Sequence, residues 1–271
     1  LSGDKIVKVN GENVAGIGIN TRGVFDKLRG PKGSEVNVTI RRRNVRELLD
    51  FKITRDKIPQ FSLDASYMVD DEIGYIKINR FSATTYTEFK AALETLVADG
   101  MTKLILDLTG NPGGYMDRAI KMADELLASD PMIVFTKGKE LRYNQEHRAS
   151  RKGIFESGGL IVLIDEGSAS ASEIVSGAIQ DNDRGLVVGR RSFGKGLVQL
   201  PLELSDGSEL RLTISRYYTP SGRSIQKSYE NGQEDYYKDD FHKRYSKGEM
   251  FSADSIKLND SLKFQTAKGR T

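Results

Sequence analysis

Apolar runs and stretches of helical spacing alternate along the chain. The runs at residues 104–108 and 161–164 are continuous and have the length and composition of buried strands. Apolar residues then recur at helical spacing through residues 171–179, and an amphipathic pattern at 85–97 follows a strand pattern at 73–78. This succession of strand and helix patterns predicts an α/β domain built from β-α-β units.

The pattern of residues 1–43 is that of a smaller module. An alternating strand ends at the turn sequence Asn10-Gly11, a helix at 21–28 follows Asn20 as its N-cap, and a second alternating strand lies at 34–41. This order resembles the C-terminal half of a PDZ domain, a peptide-binding module, and a small α+β fragment is the alternative. The resemblance implies that the other half of the module lies upstream of Leu1.

A break in the apolar pattern and a change in composition predict that the chain has three segments. Lys57-Ile58-Pro59 interrupts the pattern, so we expect residues 1–56 to hold the PDZ part with a linker strand. Residues 57–227 form the predicted core, which includes a hairpin with strands at 200–204 and 209–218. Residues 228–271 are charged and aromatic without a strong period, and they predict a C-terminal extension with a short helix near 239–245.

The amino-acid composition excludes several classes of partner and of catalytic chemistry, but it says less about the fold. Of 271 residues, 38% are hydrophobic and the net charge is only +3, which gives no support to a nucleic-acid partner. The chain has no cysteine, which excludes disulfides, thiolate nucleophiles and cysteine zinc sites. It has no apolar run long enough to cross a membrane, and its first residues look like the middle of a folded unit.

Three serines, Ser168, Ser170 and Ser172, lie between the strand at 161–164 and the helix after it. A serine at a strand-to-helix turn can act as a nucleophile, because the turn exposes its hydroxyl. Serine is also a preferred N-cap residue, so helix capping is the alternative for each of the three.

Lys195 lies between two glycines after a strand at 186–188. Residues 189–195 match most of a phosphate-binding loop, but Gly196 offers no hydroxyl for magnesium. Residues 197–202 also have a strand pattern, where a phosphate cradle needs the start of a helix. A nucleotide site is therefore disfavoured, and Lys195 is either a functional lysine or an exposed loop residue.

The turn TGNPGG at 109–114 follows the strand at 104–108. Its glycines, Gly113 and Gly114, bring bare backbone N–H groups close to a ligand, as an oxyanion site requires. A tight β-α turn is the alternative interpretation.

Together these features favour nucleophilic acyl transfer. A serine nucleophile needs a base, and the two histidines, His147 and His242, both lie in polar stretches. Lysine is the remaining base, since burial can lower the pKa of a lysine from about 10.4 towards neutrality. The apolar neighbours of Lys195 allow such burial.

The segments LILDLTGNPGG and DEGSASASEIVSGAIQDNDRGLVVGRRSFGKGLVQ closely resemble the carboxyl-terminal processing proteases, also called tail-specific proteases. The resemblance covers most of residues 6–224. It implies an α/β (α+β) fold with a β-α spiral core of the crotonase-like type behind a PDZ domain. It also implies that Ser170 is the nucleophile, Lys195 the base and Gln199 the residue that orients the lysine amine.

The same resemblance implies the supporting groups. The oxyanion donors are the backbone N–H of Ala171 and a glycine of the turn, Gly114 in preference to Gly113, and Asp181 has a positioning role. The family usually has arginine where this chain has Thr109, a departure that removes a salt bridge but no catalytic group.

The family's partners and location are further expectations. The resemblance implies unfolded or tagged protein substrates held by their C-termini, an adaptor lipoprotein, homo-oligomerisation, no cofactor, and a periplasmic or envelope-associated address. Two other classes stay open: a catalytically inactive PDZ-containing scaffold, and an acyl-CoA enzyme, since spiral cores with paired oxyanion glycines also serve thioester chemistry.

Overall fold

The computed structural model describes residues 3–57, 61–229, 232, 236, 240–256 and 263–271. The chain divides into two compact units, Leu1–Gln60 and Phe61–Thr271. Two residues of the predicted boundary, Ile58 and Pro59, lie outside the described residues.

The first unit is an antiparallel sheet with one helix. Across the sheet, the strands are β2 (Glu12–Asn13), β1 (Lys5–Val9), β3 (Glu35–Arg41) and β4 (Leu49–Thr54). Helix α1 (Thr21–Leu28) begins after Asn20, whose side chain accepts a hydrogen bond from the N–H of Gly23 at 2.9 Å. The alternating residues Val36, Val38 and Ile40 of β3 form a small core with Val9.

The second unit is built on a mostly parallel sheet. Across it lie β11 (Leu186–Gly189), β10 (Gly159–Ile164), β7 (Lys103–Asp107), β6 (Ile73–Ile78) and, antiparallel at the edge, β5 (Leu63–Met68). The helices between these strands are α2 (Thr85–Ala98), α3 (Met116–Leu126) and α4 (Ala171–Asp181). The predicted α/β class is thereby confirmed.

A second, antiparallel sheet completes this unit. It contains β12 (Leu197–Glu203), β13 (Glu209–Tyr218), β8 (Met132–Gly138) and β9 (Gln145–Arg148), in that order across the sheet. Helix α5 (Asp240–Ser246) corresponds to the short helix predicted near 239–245, with its bounds shifted by one residue. Among the described residues, no helix has both the length and the apolar character that crossing a membrane requires.

One apolar core holds the second unit together. Strand residues such as Leu104, Leu106 and Val162 are at most 1% exposed, and they pack against helix residues such as Phe89 and Ile179. The helices are therefore fixed on the sheet, and the loops at the strand ends are held by a rigid frame.

Candidate active site

The site lies where two neighbouring parallel strands end. β7 and β10 pair in parallel with Leu163 opposite Asp107, so the loops that follow them leave from the same edge of the sheet. The N–H of Leu108 donates to the carbonyl of Leu163 at 2.9 Å, and Ser168 Oγ donates to the carbonyl of Leu108 at 2.7 Å. These bonds fix the two loops against each other.

The three serines have different surroundings. Ser168 and Ser172 are fully buried, and each donates its hydroxyl to the loop after β7, Ser172 to the carbonyl of Asn111 at 3.0 Å. Ser170 lines a cavity instead. The outer two serines therefore join the loops, and only the middle one faces space that a substrate can occupy.

Ser170 has an unusual backbone conformation. Its φ of 57° and ψ of −112° lie where residues other than glycine are strained. It sits at the N-cap of α4, and its N–H donates to Glu173 Oε2 at 2.7 Å. A sharp strand-to-helix turn of this kind presents a serine hydroxyl to the space above the sheet.

The two glycines of the turn have different roles. Gly113 has φ +91°, and a Cβ atom there would lie 2.5 Å from the carbonyl oxygen of Ala169 and 2.6 Å from the Cβ of Ser170. Its N–H donates to Asn111 Oδ1 at 2.9 Å. Within the described ranges, no group accepts from the N–H of Gly114 or from that of Ala171. The geometry therefore favours Gly114 over Gly113 as a donor to an oxyanion.

One carboxyl group holds Lys195 and Ser170 in register. Glu173 accepts from the N–H groups of Ser170, Gly194 and Lys195, at 2.7, 2.6 and 2.9 Å, and from Ser192 Oγ at 2.7 Å. Burial raises the pKa of this carboxyl, while the four hydrogen bonds act against that rise. The backbones beside the predicted nucleophile and the predicted base are thus tied to the same side chain.

The sequence pattern does not identify Glu173 as a residue of the site. The only sequence indication was the pattern Ser-x-x-Glu at 170–173, which is typical of a helix capping box. That pattern explains the bond to Ser170 but not the three bonds to the loop at 192–195.

A cavity of about 680 Å³ brings the predicted groups together. Ser170, Lys195, Gln199, Gly113 and Gly114 all line it. Its apolar wall comprises Phe81, Met116, Ile174 and Leu197. The space can hold a short stretch of polypeptide with an apolar side chain against this wall.

The β12–β13 hairpin forms one side of the cavity and has two unlike faces. Gln199, Pro201, Glu209 and Arg211 line the cavity. On the opposite face, cross-strand pairing sets Leu200 beside Leu212 and Leu202 beside Leu210, and all four leucines are exposed. Strand alternation therefore separates a polar, cavity-facing surface from an apolar one.

The side-chain nitrogen of Lys195 has no carboxylate close to it within the described part of the chain. In the part of the chain that the structure describes, no Asp or Glu lies within 4.0 Å of Lys195 Nζ, and the side chain of Gln199 makes no hydrogen bond. The lysine is half-buried, and Gln199 is exposed. Gln199 shares the cavity with Lys195 but makes no hydrogen bond to it among the described residues, so its orienting role stays a prediction of the resemblance.

Asp181 lies at the other end of α4, ten residues after Ala171, which corresponds to about 15 Å along the helix axis. It accepts from the N–H of Ser221 at 3.1 Å, from Ser221 Oγ at 2.6 Å and from Arg223 at 2.6 Å. The buried Asp181 therefore holds the segment after β13 and is too far from Ser170 for proton transfer.

Neither histidine reaches the cavity. His147 lies on β9, where burial lowers the pKa of its imidazole, and His242 lies on α5. Lys195 and Arg211 are the basic side chains that line the space around Ser170. Only Lys195 comes from a loop whose backbone is tied to Glu173, as that of Ser170 is.

Residues 72–235, more than half of the chain, match the profile of peptidase family S41. The chain belongs to this family. Among its S41 relatives is a carboxy-terminal-processing protease of Bartonella bacilliformis, 40% identical over 230 residues that span 83% of this chain and 52% of that protein. A carboxyl-terminal-processing protease of Picosynechococcus is 36% identical over 83% of this chain and 53% of the relative.

A solved structure with 30% sequence identity to this chain has a similar fold. The photosystem II D1 C-terminal processing protease superposes with a TM-score of 0.55 at 30% identity, over 83% of this chain and 60% of that one. The chain thus spans about half the length of the curated relatives it matches.

Proposed function

We propose that the protein is a serine endopeptidase in which Ser170 is the nucleophile and Lys195 the general base. The observation that carries this proposal is that one cavity is lined by Ser170, Lys195 and Gly114, whose N–H has no acceptor among the described residues. The S41 relatives, which are named as carboxyl-terminal processing proteases, support the same reaction class.

The reaction follows from this arrangement. Lys195 Nζ in its neutral form takes the proton of Ser170 Oγ as the oxygen attacks the scissile carbonyl. The N–H groups of Ala171 and Gly114 donate to the oxyanion that develops. The lysine then delivers its proton to the leaving amine, and water releases the acyl group from Ser170.

We further propose that the substrates are unfolded or tagged proteins cut near their C-termini. Residues 1–56 supply part of a PDZ domain that receives the substrate tail. An extracytoplasmic location in a bacterium, an adaptor lipoprotein and homo-oligomerisation belong to the same proposal and rest on the resemblance to the tail-specific proteases.

The test is digestion of an unfolded protein by the protein at its natural length and by Ser170→Ala and Lys195→Ala. We expect each variant to lose at least about a thousandfold in kcat/KM while keeping its fold, because nucleophile and base act as one unit. Mass spectrometry of the products identifies the new C-termini, and circular dichroism checks folding.

Ser176→Ala is the matched control, since Ser176 lies on the same helix outside the catalytic cavity. Cleavage retained by either dyad variant contradicts the dyad. Binding of C-terminal peptides without any cleavage by the unsubstituted protein shows an inactive scaffold instead.

A further inference from the structure

Tyr217 is a buried residue of the catalytic cavity to which the reaction above gives no role. It lies on β13, is 2% exposed and lines the cavity that also holds Ser170 and Lys195. Its N–H donates to the carbonyl of Gly196 at 3.0 Å, so its backbone is fixed to the loop that carries the lysine.

The hydroxyl of Tyr217 is bonded to the residue predicted as the base. It donates a hydrogen bond to the backbone carbonyl of Lys195, and Tyr217 lines the same cavity as Ser170. A phenol has one proton to donate and lone pairs to accept with. Because that proton is engaged with the carbonyl of Lys195, Tyr217 does not donate to Ser170 Oγ.

We propose that Tyr217 is a positioning residue for this reaction, which fixes the Lys195 loop against the cavity that Ser170 also lines. The inference rests on the proposed Ser170–Lys195 function. Glu173 ties the backbones of Ser170 and Lys195 from the helix side, and Tyr217 ties the Lys195 loop from the strand side. The lysine loop is thus held between two anchors.

Tyr217 keeps its own proton throughout. When Ser170 Oγ forms a bond to the scissile carbon, its O–H bond breaks and the proton passes to Lys195 Nζ. Burial first, and then the nearby Glu173 carboxylate, raises the pKa of Tyr217 well above its usual value. The phenol therefore stays neutral at working pH and does not compete with Lys195 as the base.

The test compares Tyr217→Phe with the unsubstituted protein on an unfolded substrate. The substitution keeps the ring but leaves the Lys195 carbonyl without its donor. We expect kcat to fall about tenfold, equivalent to about 1.4 kcal/mol, with KM changed less than about twofold. The rate at which a fluorophosphonate labels Ser170 should fall by the same factor.

Tyr218→Phe is the matched control. Tyr218 is the next residue of β13, points to the other face and stacks on Phe135 at 5.2 Å between ring centroids. Its hydroxyl takes no part in the proposed positioning of the Lys195 loop, so kcat and the rate of fluorophosphonate labelling should be unchanged. An unchanged kcat in Tyr217→Phe overturns the inference, as does an equal loss in both variants.

A second variant covers the case in which Tyr217→Phe fails to fold. Difluorotyrosine at position 217 keeps the ring and the donor to Lys195 but lowers the phenol pKa. We expect the pH profile of kcat to stay in place, and a shifted profile shows proton transfer by residue 217 and overturns the positioning role. Ser170→Ala, assayed in parallel, separates failure of the proposed protease from failure of this inference.

Discussion

At the scale of single residues, Glu173 determines how the site is assembled. Its two carboxylate oxygens accept hydrogen bonds from Ser170, Ser192, Gly194 and Lys195. The side chain is 3% exposed, so its oxygens depend on these donors rather than on bulk water. A single carboxyl group thereby sets the distance between a helix start and a glycine loop.

Glu173→Gln tests this arrangement. The amide nitrogen of glutamine would face N–H donors, which leaves at least one buried donor unpaired. We expect the free energy of unfolding to fall by about 2–3 kcal/mol and kcat to fall by about a hundredfold. Urea denaturation and peptidase assays measure the two effects.

Glu125→Gln is the control for that substitution. Glu125 is also buried and accepts from Tyr86 at 2.6 Å and Ile154 at 3.1 Å, but it lies on α3 away from the cavity. It should lose stability while kcat stays within about twofold. Equal losses of kcat in both variants would show that Glu173 matters only for folding.

At the scale of elements, the loops after β7 and β10 work as one packed unit. Gly113 lies against Ala169 and Ser170 so closely that no side chain fits. Gly110, in the same loop, has φ +68° but open space around the position of a Cβ. The pair therefore separates backbone strain from steric exclusion.

Gly113→Ala and Gly110→Ala should consequently differ. We expect Gly110→Ala to cost about 1 kcal/mol of unfolding free energy, because alanine is strained at positive φ. Gly113→Ala should cost at least about 3 kcal/mol and abolish cleavage, since the Cβ displaces Ser170. Denaturant titration and substrate cleavage give the comparison, and similar values for the two variants would refute the close-packing argument.

The helices and strands of the second unit are largely predictable from the sequence. The neighbours with which the strands pair are not. The apolar run at 161–164 lies within β10, and the helical spacing at 171–179 lies within α4. Periodicity reports which residues face the core, but it does not report which strand lies alongside. Nothing in the pattern of residues 132–138 shows that β8 leaves the parallel sheet and pairs with β13.

The same limit applies to the site. Ser170 and Lys195 lie in motifs that are recognisable along the chain, whereas Tyr217 is one of two adjacent tyrosines on a strand. Strand alternation sends these two tyrosines to opposite faces without indicating which face meets the cavity. The contact between β13 and the lysine loop, which the sequence pattern does not show, places Tyr217 at the site.

At the scale of the whole molecule, acidic side chains join distant parts of the second unit. Arg190 bonds Glu166 in the loop after β10, and this contact lowers the pKa of Glu166. Thr266 first, and then Lys268 and Arg270, lower the pKa of Asp183 after α4. Both carboxylates therefore favour the folded state in their ionised form.

Acid should weaken the protein for this reason. A carboxyl whose pKa is lowered by folding stabilises above its unfolded pKa, and that contribution is lost as the pH falls through the folded pKa. We expect the free energy of unfolding to decrease between about pH 5 and pH 3, and less steeply in the double variant Glu166→Gln/Asp183→Asn. Urea titrations across this range measure both slopes.

Equal slopes would contradict the assignment. Glu173 acts in the opposite direction, because burial raises its pKa and its contribution to stability is lost as the pH rises. Glu173 is present in both the unsubstituted protein and the double variant, so its contribution cancels when their slopes are compared.

The strained backbone of Ser170 lowers the stability of the fold at the residue that catalysis needs. With φ at 57° and ψ at −112°, the residue costs the fold about 1–3 kcal/mol that a glycine would not. A library of variants sorted by heat resistance alone would accumulate inactive molecules with glycine at position 170. Selection for higher thermostability therefore has to be combined with selection for catalytic activity.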